Sequence, residues 1–101
     1  MAYTIEYSPE TDGHLRVLTA RQRAIVFDAV DQQLAYQPLV ETRNRKPMRP
    51  NPVAPWELRI GNLRVYYDVD AAELPEPIVR IRAVGIKYRN RVMIGGEAIE
   101  L

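Results

Sequence analysis

The chain has 101 residues, the length of one small domain, and 47% of them are hydrophobic. It has no cysteine and one histidine. This excludes a disulfide scaffold, a thiol nucleophile, a pair of catalytic histidines and a cysteine or multi-histidine metal site. Fourteen Lys and Arg oppose thirteen Asp and Glu, and this mixed, apolar-rich composition is not that of a disordered polymer.

The net charge of +1 hides an uneven distribution. Residues 1–42 carry three basic and six acidic side chains, whereas residues 43–91 carry eleven basic and five acidic ones. This pattern fits either a local anion-binding surface or an arginine-rich solvated surface. No run of about 18 apolar residues is present, and the first residues lack the basic-then-apolar layout of a signal peptide. We therefore expect a cytoplasmic protein with one domain over residues 1–101.

The first third of the chain predicts a strand followed by two helices. Apolar and polar residues alternate over residues 2–7, which indicates a strand with one buried face. A short helix over residues 9–18 would begin at a Ser-Pro-Glu start signal and carry His14 on its surface. Thr19 and Gln22 form a capping box, and the apolar residues after them recur at helical spacing, so we predict a second helix over residues 20–35.

Residues 37–55 differ in composition from the rest of the chain. Five of the eight prolines lie here, and proline removes a backbone donor and blocks helix continuation. We predict an irregular, partly extended basic segment, whose four cations are Arg43, Arg45, Lys46 and Arg49.

The last third predicts an antiparallel sheet. Alternating residues indicate strands over 56–60 and 63–69, joined by a Gly61-Asn62 turn. A loop over 70–77, a strand over 78–84 with Ala83 on its inner side, and a short final strand at 92–94 follow.

This alternation predicts a polar face opposite the helices. With the apolar residues turned towards the helices, neighbouring strands place several arginines side by side on one open face. The residues expected there are Glu57, Arg59, Arg64, Tyr66, Arg80 and Arg82. Clustered arginines favour binding of an anion over a neutral solvated surface.

Two segments carry a resemblance to a known family. The run from Pro55 to Tyr67, PWELRIGNLRVYY, resembles the central hairpin of the RelE/ParE superfamily of bacterial toxins, and the run from Ala83 to Arg91 resembles its last conserved strand and basic loop. The resemblance covers nearly the whole chain. It implies an α+β fold of order βααβββ(β), in which an N-terminal strand and a helical hairpin pack on a twisted antiparallel sheet.

The resemblance also implies a function. Such a chain would be the toxin of a type II toxin–antitoxin system, and a RelE-like member would cleave mRNA in the ribosomal A site. A ParE-like member would instead inhibit DNA gyrase. The expected partners are an acidic antitoxin encoded by a neighbouring gene, the ribosome and mRNA, and operator DNA for the toxin–antitoxin complex. No cofactor and no metal are expected.

The resemblance assigns roles to individual residues. Arg64 matches the catalytic arginine of the family, Lys87 lies where a basic catalytic residue is usual, and Arg59 would position phosphate. Arginine suits this role because its planar fork donates two hydrogen bonds to one phosphate. The remaining expected nucleic-acid contacts are Arg82, Arg80, Arg89, Arg91, Arg43, Arg45, Lys46 and Arg49.

Two departures from the family pattern affect the acid–base chemistry. RelE-type toxins tend to have lysines where this chain has Pro55 and Glu57, and a tyrosine or histidine where it has Met93. Tyr88, Tyr66 and Glu57 are the substitutes that the sequence offers, each with a structural role as the alternative. The departures leave open a metal-independent ribonuclease, a gyrase inhibitor, and an attenuated toxin that mainly binds its antitoxin and regulates the operon.

Overall fold

The computed structural model describes residues 2–70 and 77–101. The elements in chain order are β1 (Thr4–Tyr7), α1 (Glu10–Arg16), α2 (Ala20–Leu34), β2 (Arg45–Pro47), β3 (Trp56–Ile60), β4 (Leu63–Asp70), β5 (Ile78–Tyr88), β6 (Arg91–Ile94) and β7 (Glu97–Ile99). The loop predicted over 70–77 lies, apart from its two end residues, outside the described residues. In the described ranges, no helix has both the length and the apolar character needed to cross a bilayer.

The two helices form a hairpin held at its turn by side chains. The predicted capping box at the start of α2 is confirmed, because the Thr19 hydroxyl accepts from the Gln22 N–H and the Gln22 amide oxygen accepts from the Thr19 N–H. Arg23, in the first turn of α2, donates through Nη1 to the carbonyls of Leu15 and Leu18, the latter at 2.6 Å. These bonds tie the first turn of α2 to the end of α1, where the Leu15 carbonyl also accepts from the Leu18 N–H at 3.1 Å.

The strands form one sheet in the order β2-β3-β4-β5-β6-β7, antiparallel throughout. β1 adds to this sheet in parallel, beside the first half of β5, and β6 pairs with the second half. Between these two partners the Val84 N–H donates to Nδ1 of His14 at 3.3 Å. His14 is therefore a half-buried residue that completes the edge of β5, not the surface residue predicted from the sequence.

A bulge changes which side chains of β5 face the helices. Tyr66 pairs with Ala83 but Tyr67 pairs with Ile81, so one extra residue of β5, Arg82, lies between the two pairs. Ile81 packs in the core under the helices, whereas Ala83 packs on the opposite face. The prediction that Ala83 continues the inner side is therefore wrong.

Each face of the sheet carries its own apolar cluster. The larger one lies under the helices, where Val26, Val30 and Leu34 of α2 pack against fully buried residues of β3, β4 and β5. Each such side chain stabilises the fold by about 1.5–3 kcal/mol relative to an exposed one. The smaller cluster joins Tyr66 and Ala83 to Ala54 and Ile94 on the other face.

Residues 48–55, which we call the proline arch, cover part of the face that the sequence predicts to be open. The arch follows β2, whose pairing with β3 shows that the basic segment is not irregular throughout. It is closed by a backbone bond of 2.8 Å from the Met48 N–H to the Pro55 carbonyl. Tyr66 is consequently fully buried, and the prediction of a wholly open polar face is wrong.

Candidate nucleic-acid interface and active site

The uncovered part of this second face forms a concave pocket of about 380 Å³. β2 and the first residues of the arch form one wall, β3 and β4 form the floor, and the end of β5 forms the opposite wall. Its lining includes one acidic side chain, Glu57, and five basic ones, Lys46, Arg49, Arg59, Arg64 and Lys87. This excess of positive charge makes the pocket suited to an anion.

Arg64 lies at the floor of the pocket in a fixed orientation. Its Nη1 donates to the carbonyls of Gly61, at 2.7 Å, and Leu63, at 2.9 Å. The turn predicted at Gly61 is present, and its positive φ of 56° explains the glycine. Because these bonds engage only Nη1, the rest of the guanidinium fork can donate to a ligand in the pocket.

Arg59 lies directly opposite Arg64 in the β3–β4 pair, and Glu57 lies opposite Tyr66. The Arg59 Nε donates to Oε1 of Glu57 at 2.6 Å. The pocket therefore holds two neighbouring guanidinium groups and a carboxylate whose direction one of them sets.

Tyr66 does not reach the pocket as an acid or base. Its hydroxyl is buried and makes no hydrogen bond of regular geometry to any residue in the described part of the chain. Burial raises the pKa of Tyr66 strongly, and the neighbouring Glu57 carboxylate raises it further. Of these two candidate acid–base residues, Glu57 lines the pocket, whereas Tyr66 belongs to the smaller apolar cluster.

Lys87 reaches the pocket because of the bulge in β5. After the bulge, Gly85 pairs with Arg64, and Lys87, two residues further on, shares their face. Among the residues that the structure describes, neither Lys87 nor Arg49 forms an ion pair, whereas Lys46 makes a loose one of 3.8 Å with Glu41. Lys87 and Arg49 are therefore cations available to an incoming phosphate.

The pleat turns Tyr88 away from the pocket. Successive residues of a strand point to opposite faces, so Tyr88 lies on the face opposite Lys87. It is exposed, and the Arg89 guanidinium lies 5.5 Å from its ring centre. Tyr88 is therefore not placed as an acid–base group for this pocket. Arg89 and Arg91 flank the exposed tip of the β5–β6 hairpin, next to the pocket wall.

Arg80 and Arg82 lie outside the pocket and are engaged by carboxylates. Arg82 donates to Oδ2 of Asp68, with Nε and Nη2 both at 2.9 Å. Arg80 pairs with Glu6 at 3.4 Å and with Asp70 at 3.7 Å. Arg82 lines a cavity on the far side of the arch instead.

Arg45 has a structural position. It is buried, and its guanidinium donates to the carbonyls of Gln33, at 2.7 Å, and Val40, at 3.0 Å. These bonds tie β2 to the end of α2, so we leave Arg45 out of the proposed nucleic-acid contacts. Arg43 is exposed two residues earlier and does not line the pocket.

Sequence reasoning missed two residues that shape the site. A side-chain Cβ at Gly85 would lie 2.8 Å from the Met93 carbonyl oxygen, so only glycine lets β6 come this close to β5. Asn51 bonds across the proline arch through its side chain. The available signal was the Asn51-Pro52 pair, which is typical of a turn.

Paired guanidinium groups, a free lysine and an oriented carboxylate form a set that can bind and polarise a phosphodiester. The arginines and Lys87 can neutralise phosphate oxygens, and Glu57 can accept a proton. In the described ranges, no three or more His, Cys, Asp or Glu side chains cluster in a way that could hold a metal ion.

Comparison with known proteins agrees with this architecture. No protein-family model and no curated protein matches the chain. Among solved structures, it is similar to a chain in the crystal structure of the RelBE2 toxin–antitoxin complex from Mycobacterium tuberculosis, with a TM-score of 0.71 and 25% identity. The match covers 86% of this chain and 100% of that chain. The protein has a RelE-like toxin fold, and the fold class expected from the sequence is confirmed.

Proposed function

We propose that this RelE-like chain is the toxin of a type II toxin–antitoxin system and that it cleaves mRNA at the ribosome. The similarity to a chain of a toxin–antitoxin complex supports the toxin role and an antitoxin partner. The observation that carries the ribonuclease role is the pocket itself, in which five basic side chains accompany one acidic side chain. This composition suits a phosphodiester and its cleavage.

The proposed chemistry divides the roles among three residues. Glu57, held by Arg59, takes the proton of the ribose 2′-hydroxyl, whose oxygen then attacks the neighbouring phosphorus. Arg64 donates to the phosphate oxygens, on which charge builds up. Lys87 gives a proton to the departing 5′-oxygen, so that the products are a 2′,3′-cyclic phosphate and a 5′-hydroxyl end. One proton is taken and one is given, and no other reactant is needed.

A cell-free translation system with a defined mRNA tests this proposal, with cuts mapped by primer extension. We expect A-site cleavage by the wild type and a loss of about 10²–10³-fold in Arg64→Ala, the usual effect of removing one charge-stabilising donor. Arg64→Lys keeps the charge and should fall between the two. Arg16→Ala is the matched control, because Arg16 lies outside the pocket and its exposed side chain pairs with the exposed Asp12.

Thermal unfolding followed by circular dichroism must accompany this assay, because Arg64 is buried and bonds two carbonyls. A folded Arg64→Ala protein that cleaves as well as wild type would overturn the proposed role of Arg64. Intact mRNA with a folded wild-type protein would overturn the ribonuclease proposal.

Inhibition of DNA gyrase is the second candidate function, and the departures at Pro55 and Glu57 from the RelE lysine pattern favour it. A supercoiling assay on the same preparation separates the two. Inhibited gyrase with intact mRNA would establish the ParE-like role. If neither activity is found, the protein acts through its antitoxin and the regulation of its operon, and a neighbouring gene for an acidic protein should then be present.

A further inference from the structure

One side chain, that of Asn51, bonds four backbone groups of the proline arch, in addition to the Met48 N–H to Pro55 carbonyl bond that closes the arch. Oδ1 of Asn51 accepts from the N–H groups of Val53, at 2.8 Å, and Ala54, at 3.1 Å. Its Nδ2 donates to the carbonyls of Arg49, at 2.8 Å, and Ala54, at 2.9 Å. Both ends of the amide are therefore used, and four regular backbone bonds converge on this residue.

The arch forms the part of the pocket wall that carries Arg49. The arch is anchored to the smaller apolar cluster, because Ala54 belongs to this cluster and Val53 and Met48 pack against it. Its first residues are Met48 and Arg49, which line the pocket that holds Arg59, Arg64 and Lys87. Asn51 joins the two ends, since it bonds the Arg49 carbonyl on one side and the Ala54 backbone on the other.

Arg49 itself has no restraint from a carboxylate. In the part of the chain that the structure describes, its guanidinium forms no ion pair, unlike those of Arg59, Arg80 and Arg82. An exposed arginine on an irregular segment would normally sample many directions. Here the backbone that carries it is fixed by the Asn51 bond to its own carbonyl.

We propose that Asn51 is a positioning residue, which holds Arg49 at the pocket wall so that this arginine binds a phosphate next to the one at Arg64. This inference rests on the proposed function for the identity of the ligand, a single-stranded RNA backbone. It assigns to Asn51 no contact with RNA, and its effect on binding passes through Arg49.

The chemistry of the amide explains why asparagine is needed. Aspartate would keep the two bonds accepted by Oδ1 but would turn a carboxylate oxygen towards the Arg49 and Ala54 carbonyls, which are acceptors. Alanine would remove all four bonds. Asn51→Asp and Asn51→Ala therefore damage the arch to different degrees, and the Asn51→Asp change leaves the Val53 and Ala54 acceptor bonds in place.

The test measures the affinity of an uncleavable, 2′-O-methylated single-stranded RNA at several salt concentrations. We expect Arg49→Gln to weaken binding about tenfold, the scale of one charge-assisted contact, and to reduce the salt slope by about 0.7. Asn51→Ala should have the same two effects. The Asn51→Ala/Arg49→Gln double variant should have the same RNA affinity and the same salt slope as Arg49→Gln alone. Asn44→Ala is the control, because Asn44 is an exposed asparagine of the same segment.

Cleavage kinetics separate positioning from general damage. Asn51→Ala should raise KM about tenfold and leave kcat near wild type, whereas a distorted pocket would lower kcat. Additive effects of the two substitutions, or an unchanged salt slope in Asn51→Ala, would overturn the proposal. If Asn51→Ala unfolds, Asn51→Asp replaces it and is also measured in the Arg49→Gln background, where any remaining loss of affinity reports the repulsion between its added charge and the RNA.

A second probe tests the positioning role of Asn51 independently of the ribonuclease proposal. If the wild type leaves mRNA intact, inorganic tripolyphosphate replaces RNA as the probe, and the shift of the Arg49 Nε–H NMR signal reports binding. Loss of that shift in Asn51→Ala, with retention in Asn44→Ala, supports the positioning role without any cleavage. A wild type that binds neither RNA nor tripolyphosphate at Arg49 would overturn it.

Discussion

Arg59 and Glu57 form the shortest ion pair of the described residues, with 2.6 Å between Nε of the arginine and Oε1 of the glutamate. The glutamate side chain is 9% exposed and the arginine side chain is 50% exposed. The pair therefore anchors a carboxylate at the pocket floor and leaves half of the arginine side chain exposed. In the proposed reaction, Arg59 orients the base and faces the phosphate.

We predict that Glu57→Gln lowers cleavage by about 10²–10⁴-fold, because the amide cannot accept the 2′-hydroxyl proton. Binding of uncleavable RNA should stay the same or improve, since the one acidic side chain among the described residues that line the pocket is neutralised. Primer extension and the RNA affinity measure the two effects. Glu97→Gln, on exposed β7, is the matched control, and full activity of Glu57→Gln would remove Glu57 from the mechanism.

Gly85 and Gly13 should respond in opposite directions to alanine. At Gly85 the new Cβ would lie 2.8 Å from the Met93 carbonyl oxygen and 2.9 Å from Cγ1 of Ile94, and we expect a loss of about 1–3 kcal/mol of unfolding free energy. At Gly13, in α1, nothing lies within 4 Å, and alanine should gain about 0.4–1 kcal/mol. Urea unfolding measures both. A neutral Gly85→Ala would show that β6 can move away from β5 without cost.

The adjacent tyrosines Tyr66 and Tyr67 form another matched pair. Both are fully buried, but the Tyr67 hydroxyl donates to the Pro38 carbonyl at 2.6 Å whereas the Tyr66 hydroxyl has no regular bond to a described residue. Tyr67→Phe should therefore cost about 0.5–1.5 kcal/mol, and Tyr66→Phe should be neutral or stabilising. Denaturant titration of both variants checks this order. A larger loss in Tyr66→Phe would show that its hydroxyl bonds the neighbouring Glu57 carboxylate, which also raises the pKa of Tyr66.

The free energy of unfolding should decrease as the pH falls below 6.5, because His14 takes up a proton more readily in the unfolded chain. Burial lowers the pKa of His14 below 6.5, and Glu10 offsets this only in part. The unfolded chain then binds more protons than the folded one below that pH, so the stabilisation present above pH 6.5 is lost as the pH falls through the folded pKa. A proton on Nδ1 would also break the bond from the Val84 N–H.

Thermal unfolding between pH 7 and about 5, where most carboxylates stay ionised, measures this dependence. His14→Asn should flatten it, because the chain has one histidine. An equal slope in wild type and variant would assign the pH dependence to the carboxylates.

The sequence predicted the elements whose residues repeat with a clear period. The α2 helix and its capping box, β3, β4 and the Gly61 turn lie within one or two residues of their predicted positions. These features depend on local propensity and on the burial of one face, both of which are written in neighbouring residues. The short strand β2 was missed, because its pairing with β3 comes from a contact distant in the chain.

The composition of the site could be predicted, but its geometry could not. Arg64, Arg59 and Glu57 alternate with apolar residues on adjacent strands, so their common face follows from the period of a strand. Lys87 belongs to the pocket for another reason, since the bulge at Arg82 reverses the faces of the second half of β5. Uninterrupted alternation from Ile81 would have turned Lys87 towards the helices.

By itself the sequence determined an α+β chain with a basic sheet face, because periodicity and charge are local properties. Only the tertiary structure decided how much of that face stays open. The proline arch covers Tyr66, and the bulge in β5 turns Lys87 towards the uncovered part of the face. That uncovered part is the pocket. The arch and the bulge depend on contacts between residues far apart in the chain. The free energy of such contacts cannot be predicted from a short stretch of sequence.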